Sequence, residues 1–386
     1  MTGRTGGLPE AVGVTEARRS SWLELFFDLV FVVAVFQLGA LLNEEHSAHG
    51  VLVFAGLITT IWWLWFSFSY FADLFDDDRP PSRFVQLVAM LGVLALAATL
   101  DGGVADDSAP YSLAYGLLLA LLAGMYGVVG WRRKRAREFC WWNAAGFLLD
   151  AVLWFSSLLV PSPGRYALWG VGLALNAAVA GPLAYTWAGR APVQRSHMPE
   201  RFGLFTIVVL GEAVLAVANG IGETGWQPTA VAVGVGGFVI ACGIWWVYFA
   251  STFDQEAGNR ALRGGRALVV RSYLYAYGHL LVYGSIVASG VAVEVAAREG
   301  VHGDHGVAGP LLGGSQLTLL LGCIIVYRGF DVRVTRQVAF AQVGLAVAAL
   351  VIGLGGFPPL VAVLVIAVAW VALALVEWRS PPVWRR

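Results

Sequence analysis

The chain alternates between long apolar runs and short polar segments, and the apolar runs are long enough to cross a bilayer as helices. A membrane helix needs about 20 mainly apolar residues. Twelve runs meet this need: 22–42, 51–72, 84–100, 111–130, 140–160, 166–188, 203–221, 228–250, 267–291, 306–327, 338–355 and 358–377. The last two, divided by a Gly-Pro segment around Phe357, also fit a re-entrant pair. The pattern predicts an all-α, polytopic membrane helix bundle.

Positive charges in the loops give this bundle an orientation. Cytoplasmic loops of membrane proteins carry an excess of Lys and Arg. If the N-terminus is cytoplasmic, 23 of the 25 Lys and Arg residues fall on the cytoplasmic side, and only Arg165 and Arg298 fall outside. A wrong number of spans would disturb this alternation beyond the error. The sequence therefore predicts about twelve spans with both termini in the cytoplasm.

Composition agrees with a membrane protein and excludes several classes of function. The chain is 58% hydrophobic and 13% charged, whereas soluble proteins are nearer a quarter charged. A formal net charge of zero argues against nucleic acid as a partner. Cys140, Cys242 and Cys323 lie in apolar runs without a CxxC pair, so we expect buried free thiols. No P-loop, GxSxG or HExxH motif occurs, and we predict no catalytic set, metal site or cofactor.

The two halves of the chain contain similar segments. Residues 61–66 read IWWLWF and residues 244–249 read IWWVYF, an offset of 183 residues, and at nearly this offset Asp28 falls beside Glu212. We predict two parallel six-helix repeats related by an axis along the membrane normal; chance similarity is the alternative. The predicted parts are a polar cytoplasmic arm (1–21), a first half (22–188), a cytoplasmic linker (189–202), a second half (203–377) and a cytoplasmic tail (378–386).

Ionisable groups inside the apolar runs are the main candidates for chemistry. They are Asp28, Asp150, Glu212 and His279, with Glu24 nearer the start of its span. Such groups are costly in a membrane unless they are paired or face a wet cavity, and they often mark ion or proton pathways. We therefore predict that they line a substrate or proton pathway. The alternative for each is a hydrogen bond that holds two helices together, or, for Glu24, a pair with the arginines before it.

Two tryptophan pairs are candidates for a cation–π site. Trp62 and Trp63 lie in the first aromatic run, and Trp245 and Trp246 lie in the second. Tryptophan faces attract organic cations. The alternative is an aromatic belt at the membrane interface.

One basic segment is a candidate lipid contact. It consists of Arg132, Arg133, Lys134, Arg135 and Arg137, directly after an apolar run. Clusters of this kind next to a membrane helix attract anionic lipid headgroups, so we predict anionic lipid rather than nucleic acid as their partner.

Three motifs resemble those of the bacterial low temperature requirement A (LtrA) family. They are ELFFDLVF at 24–31, IWWLWF at 61–66 and ERFGLFTIVVLGE at 200–212. The resemblance extends over most of the chain and is strongest in spans 1, 2, 7 and 8. It implies a multi-pass protein of the bacterial inner (cytoplasmic) membrane that is connected with growth in the cold. It implies no particular molecular activity.

The leading hypothesis is a secondary transporter or permease of unknown substrate, with proton coupling as one form of it. Asp28 and Glu212 would face a central cavity and alternate between protonated and ionised states as the two halves rock. One alternative is a membrane-embedded enzyme that modifies lipid, for which Glu24, Asp28 and His279 are the starting points. The other is a structural or sensor protein. Membrane lipid and a small molecule or ion are the expected partners, and the oligomeric state is not predicted.

Overall fold

The computed structural model describes residues 21–75, 79–100, 108–187, 198–249, 266–302, 306–330, 332–380 and 383–384. Within these residues the chain forms twelve long α-helices. They are α1 (Trp22–Glu44), α2 (Ala48–Phe75), α3 (Pro80–Ala98), α4 (Ala109–Arg132), α5 (Arg137–Ser157), α6 (Gly164–Trp187), α7 (Met198–Glu223), α8 (Pro228–Val247), α9 (Arg266–His302), α10 (Ala308–Phe330), α11 (Arg336–Gly355) and α12 (Pro359–Arg379). The predicted all-α class is confirmed.

Two minor elements complete the described fold. A 3-10 helix, Lys134–Ala136, joins α4 to α5. Two short strands, β1 (Val332–Arg333) and β2 (Val383–Trp384), pair antiparallel, with Val332 opposite Trp384. This pairing ties the segment after α10 to the end of the chain.

Ten of the described helices are long and apolar enough to cross a membrane, namely α1 to α4 and α7 to α12. The protein is therefore a multi-pass membrane protein. α5 is more polar, since it includes Arg137, Glu138, Asn143 and Asp150. A total of twelve spans stays a prediction, as do the cytoplasmic termini.

Local sequence signals explain where several helices begin and end. Ser21 and Glu24 form a capping box on α1: the Glu24 N–H donates to Ser21 Oγ at 3.2 Å, and the Ser21 N–H donates to Glu24 Oε2 at 2.7 Å. Proline lies in the first turn of α3, α4, α8 and α12, where its missing N–H costs nothing. Gly356, with φ of +60°, ends α11 in the left-handed conformation that glycine adopts readily.

Two helices differ from the predicted spans in ways that matter for the site. α7 begins at Met198, so the end of the predicted linker 189–202 is helical and Arg201 lies inside the helix; residues 188–197 lie outside the described part. Hydropathy assigns an arginine to a loop because it cannot detect a buried partner. α9 has 37 residues against the predicted 267–291, which makes it about 56 Å long.

α9 lies at the centre of the bundle, and α1 and α7 pack beside it. It contacts α10 along much of its length and also packs on α7, α8, α1 and α12. A Cβ built on Gly290 of α9 would lie 2.7 Å from the Cα of Ala213 in α7, so this close approach requires glycine. Contacts between α1, α7 and α9 pair residues of rising number, so the three helices run parallel. We call their shared interface the α1–α7–α9 junction.

Candidate functional site

Asp28 is held at one end of the α1–α7–α9 junction by an arginine and a tryptophan. Its side chain is 2% exposed. Arg201 Nη2 of α7 donates to Asp28 Oδ1 at 2.5 Å, and Trp65 Nε1 of α2 donates to the same oxygen at 2.8 Å. Within the described residues, Asp28 Oδ2 and Arg201 Nε have no hydrogen-bond partner. We call Asp28, Trp65 and Arg201 the Asp28 cluster; its one acid is matched by one cation.

His279 lies beside this cluster, and both of its ring nitrogens are engaged. The ring is fully buried, 4.5 Å from the ring of Phe202 between their centres. Nδ1 lies 2.7 Å from the backbone oxygen of Tyr275, which can only accept, so Nδ1 carries a proton. Nε2 lies 2.7 Å from the hydroxyl of Tyr248. His279 is therefore a hydrogen-bonded packing group that links α9 to the end of α8.

Glu212 lies deeper along the same junction. It follows Arg201 by eleven residues on α7, a rise of about 16 Å. Its side chain is 8% exposed, and within the described residues it makes no hydrogen bond and no ion pair. Its Oε1 faces α1, since a Cβ built on Gly39 would lie 3.5 Å from that atom. Within the part of the chain that the structure describes, the junction thus contains a carboxylate to which no cation is bonded.

The two acids that were expected to face each other lie at different depths. An axis along the membrane normal with a 183-residue repeat would put Asp28 and Glu212 at one level. The contacts instead follow an offset of 173 residues, with Asp28 against Arg201 and Gly39 against Glu212. The predicted repeat stays a prediction, but the structure does not bring these acids together.

A second polar cluster lies at the opposite end of the junction. Arg298 of α9 lies with Nη1 3.3 Å from Glu223 Oε2 and 3.8 Å from Glu294 Oε1, and Nη2 donates to Asn43 Oδ1. Asn43 Nδ2 in turn donates to Glu294 Oε1. We call Asn43, Glu223, Glu294 and Arg298 the Arg298 cluster. Glu294 lies one helical turn after Gly290 of α9, which packs against Ala213 next to Glu212, so the two acids lie on neighbouring turns of the junction.

Most of the Arg298 cluster was not predicted from the sequence. Asn43, Glu223 and Glu294 lie just beyond the predicted ends of spans 1, 7 and 9, where polar residues are common and do not indicate a site. The position of Arg298 in the sequence is the signal that could have indicated this cluster. Arg298 is one of only two positive residues on the predicted outer side, which suggests a specific partner for it.

The family model for the bacterial low temperature requirement A protein (LtrA) matches residues 19–376, a range that includes both clusters and Glu212. The chain belongs to the LtrA family. A Rhizobium meliloti (strain 1021) protein, described as uncharacterized, is 27% identical over 291 residues, which is 72% of this chain and 69% of that protein. No solved structure matches the chain. The resemblance found in the three sequence motifs is confirmed.

Asp150 of this LtrA-family chain lies away from the junction. It is on α5, which packs on α4 and α6, and it is 1% exposed. Asn176 Nδ2 of α6 donates to its Oδ2, and a Cβ on Gly172 would collide with its Oδ1. The contact fits the alternative made for each in-span acid, a hydrogen bond that holds two helices together.

The matched tryptophan pairs lie in different surroundings. Trp62 and Trp63 are 2% and 5% exposed and pack against the ring of Tyr277, at 5.3 and 6.2 Å between ring centres. Trp245 and Trp246 are 48% and 41% exposed. The first pair is part of the bundle interior, while the second lies on its surface, as in an interface belt.

Glu24 and the cysteines complete the predicted residues of the LtrA-family chain. Besides capping α1, Glu24 lines a cavity of about 20 Å³ together with Phe27, Gln86 and Arg201, enough room for one water molecule. Cys140 and Cys323 are buried free thiols, but Cys242 is exposed, which corrects the expectation for that residue. Within the described residues, no three His, Cys, Asp or Glu side chains group to hold a metal ion.

The basic segment lies at the junction of α4 and α5. Lys134, Arg135 and Arg137, with Glu138, line an open cleft whose wall includes Trp141 and Trp142. Both tryptophans are more than half exposed. The segment thus combines exposed positive charge with indole rings.

Proposed function

We propose that this LtrA-family protein is a proton-coupled secondary transporter in which Glu212 binds and releases the coupling proton. The observation that carries the proposal is the position of Glu212. It is a buried carboxylate to which no cation among the described residues is bonded, on a helix that has an arginine–carboxylate cluster toward each end. An intramembrane acid in this position is the kind of group that proton-coupled carriers use.

The two clusters would close the pathway at its two ends in turn. Asp28 and Arg201 have side chains that are 2% and 3% exposed, so this end is shut. Arg298 and Glu223 are 33% and 54% exposed, so the other end is more open to its surroundings. A transporter needs its central site to be reached from one side at a time. The difference in exposure supports a conformation closed at the Asp28 end.

The loop charges support the orientation that goes with this proposal. With both termini in the cytoplasm of a bacterial inner membrane, the Asp28 end faces the cytoplasm and the Arg298 end faces outward. The basic segment 132–137 then lies at the cytoplasmic surface. Its cleft, with the cations beside Trp141 and Trp142, suits the phosphate of an anionic lipid headgroup.

The lipid-modifying alternative finds less support in the geometry. It started from Glu24, Asp28 and His279. Glu24 caps α1, Asp28 is bound by Arg201, and His279 has both ring nitrogens hydrogen-bonded. Each group is engaged in holding the bundle, and the three do not form a nucleophile–base pair.

Reconstitution tests the proposal directly. Purified protein is placed in liposomes that enclose a pH-sensitive dye, and proton movement is followed as a panel of ions and small metabolites is added outside. We expect one class of solute to drive proton flux in the wild type, and Glu212→Gln to abolish it. Gly211→Ala is the matched control: its new methyl group meets nothing within 4 Å, so flux should be kept. Full flux in Glu212→Gln, or no flux with any solute, contradicts the proposal.

A further inference from the structure

The outer half of the α1–α7–α9 junction contains more acids than cations. Among the described residues, Glu212, Glu223 and Glu294 contribute three carboxylates and Arg298 contributes one guanidinium. Glu212 and Glu294 are 8% and 5% exposed. Buried charges are stable only when they are paired or neutralised, so one guanidinium leaves this group short of positive charge.

Glu212 faces the part of the junction where positive charge is lacking among the described residues. Glu212 is more than nine-tenths buried and has no hydrogen-bond or ion-pair partner among the described residues. Its carboxylate faces Gly39 of α1, one helical turn before Asn43 on the same helix. Because Gly39 has no side chain, the space between Glu212 and α1 is not filled by a methyl group.

The Arg298 cluster already holds a monovalent cationic group with oxygen ligands from three helices. The guanidinium of Arg298 lies against the carboxylate of Glu223 from α7, the amide oxygen of Asn43 from α1 and, on its own helix, Glu294. Carboxylate and amide oxygens are also the ligands of small hard cations. Gly220 brings α7 close to Glu294, since a Cβ there would lie 3.1 Å from the Glu294 Cα.

We propose that Glu212, Glu294 and Asn43 together bind a small monovalent cation, an alkali-metal or ammonium ion, and that Arg298 is a tethered cation that holds Glu294 when the ion is absent. The inference rests on the proposed function and gives its substrate class. One cation enters as one proton leaves the carboxylates, so the charge of the junction does not change. Among the described residues, the groups that contact this site are Glu223 of α7 and Arg298 of α9, with Glu212, Glu294 and Asn43 themselves.

Thermal unfolding in detergent, read by intrinsic tryptophan fluorescence, tests binding without requiring transport. The full chain is melted in sodium, potassium, ammonium or methylammonium chloride, with N-methylglucamine chloride at the same ionic strength as the control. A ligand that binds only the folded state raises Tm in a saturable way. We expect at least one small cation to do so, and Glu212→Gln and Glu294→Gln to remove the rise.

The variant Arg298→Gln tests whether Arg298 competes with the bound ion. If Arg298 competes with the ion, Arg298→Gln lowers the half-saturating ion concentration by about tenfold, or 1.4 kcal/mol. An unchanged or raised half-saturating concentration overturns the role given to Arg298. Gly211→Ala should match the wild type. If a glutamate variant does not fold, Asn43→Ala replaces it in the test, because it leaves both acids in place; we expect this variant to bind the ion more weakly.

The outcomes separate this inference from the proposed function. If no small cation raises Tm above the N-methylglucamine control, or if the rise persists in both glutamate variants, the cation site is overturned. Glu212-dependent proton flux would then still support the proposed transporter. A saturable rise that depends on Glu212, found in a protein without flux, would support the site and contradict transport.

Discussion

The Asp28 and Arg298 clusters lie at opposite ends of one three-helix junction, and they are built differently. Each includes one arginine and joins α1 to α7. The Asp28 cluster pairs one buried acid with one buried cation, whereas the Arg298 cluster shares one arginine, one-third exposed, among several acceptors and lies near Glu212. A buried acid in a membrane bundle therefore does not by itself mark a functional site. Whether a cation is bonded to the acid itself distinguishes a closure from a binding group.

The balanced pair gives the largest expected effect. Arg201→Gln leaves Asp28 buried beside a neutral group, and removing one partner of a buried ion pair costs about 3–5 kcal/mol. The double variant Arg201→Gln with Asp28→Asn should recover much of this loss, because no charge is then stranded. Thermal unfolding of all three proteins in detergent gives the double-mutant cycle. A double variant that is as unstable as the sum of the two single variants would show that the pair is not coupled.

The unpaired acid should behave in the opposite way. Glu212→Gln removes a buried carboxylate to which no described residue supplies a bonded cation, so we expect stability to change by less than about 1 kcal/mol or to rise. Asp28→Asn should cost more than this, since it strands Arg201. Unfolding of the two variants under the same conditions compares them directly. Equal losses would remove the distinction between the two regions.

Glycine packing tests whether the junction has the described register. Gly290→Ala would place a methyl group 2.7 Å from the Ala213 backbone, and overpacking of this kind costs about 1–3 kcal/mol. The methyl group of Gly39→Ala would lie 3.4 Å or more from its neighbours, an ordinary contact, so we expect normal stability. Because this methyl group would lie against the Glu212 carboxylate, we expect proton flux to fall. Unfolding and proton flux are measured for both, with Gly211→Ala as the control. A Gly39→Ala protein with unchanged flux would weaken the assigned position of Glu212.

The exposed part of the Arg298 cluster gives the smallest effect. Glu223 is 54% exposed, and surface ion pairs contribute about 0–1 kcal/mol. Glu223→Gln should therefore lower stability only slightly, and less at high salt, because salt screens exposed charges. Unfolding at low and high salt measures this. A loss as large as that of Arg201→Gln would mean that both ends of the junction are sealed alike.

Hydropathy predicted the helices well because each helix must be apolar to meet lipid. The twelve apolar runs correspond to the twelve described long helices, and Asp28 and Glu212 were found because they interrupt that pattern. The partner of Asp28 could not be found in this way, since Arg201 reads as a loop residue unless its buried contact is known. The depth of Glu212 relative to Asp28 depends on packing at Gly39 and Gly290, which a single sequence does not specify.

The tryptophan pairs also show that a single sequence does not specify which side chains are buried. The segments IWWLWF and IWWVYF share four of six residues, yet Trp62 is buried in the bundle and Trp245 is on its surface. What differs is the neighbour: α9 presents Tyr277 to the first run. Burial is a property of the pair of surfaces, so sequence similarity alone predicted equal roles for unequal positions.

The length of α9 gives the junction a mechanical property. A single helix holds His279 on one side of Gly290 and Arg298 on the other, and at Gly290 it touches α7 backbone to backbone. Such a rod acts as a lever with its fulcrum at Gly290. A tilt of about 10° would move Arg298, which lies roughly 12 Å from the fulcrum, by about 2 Å, and would swing His279 the opposite way. Breaking the contacts at one end of α9 would therefore displace the residues at its other end, without any change in the conformation of the helix itself.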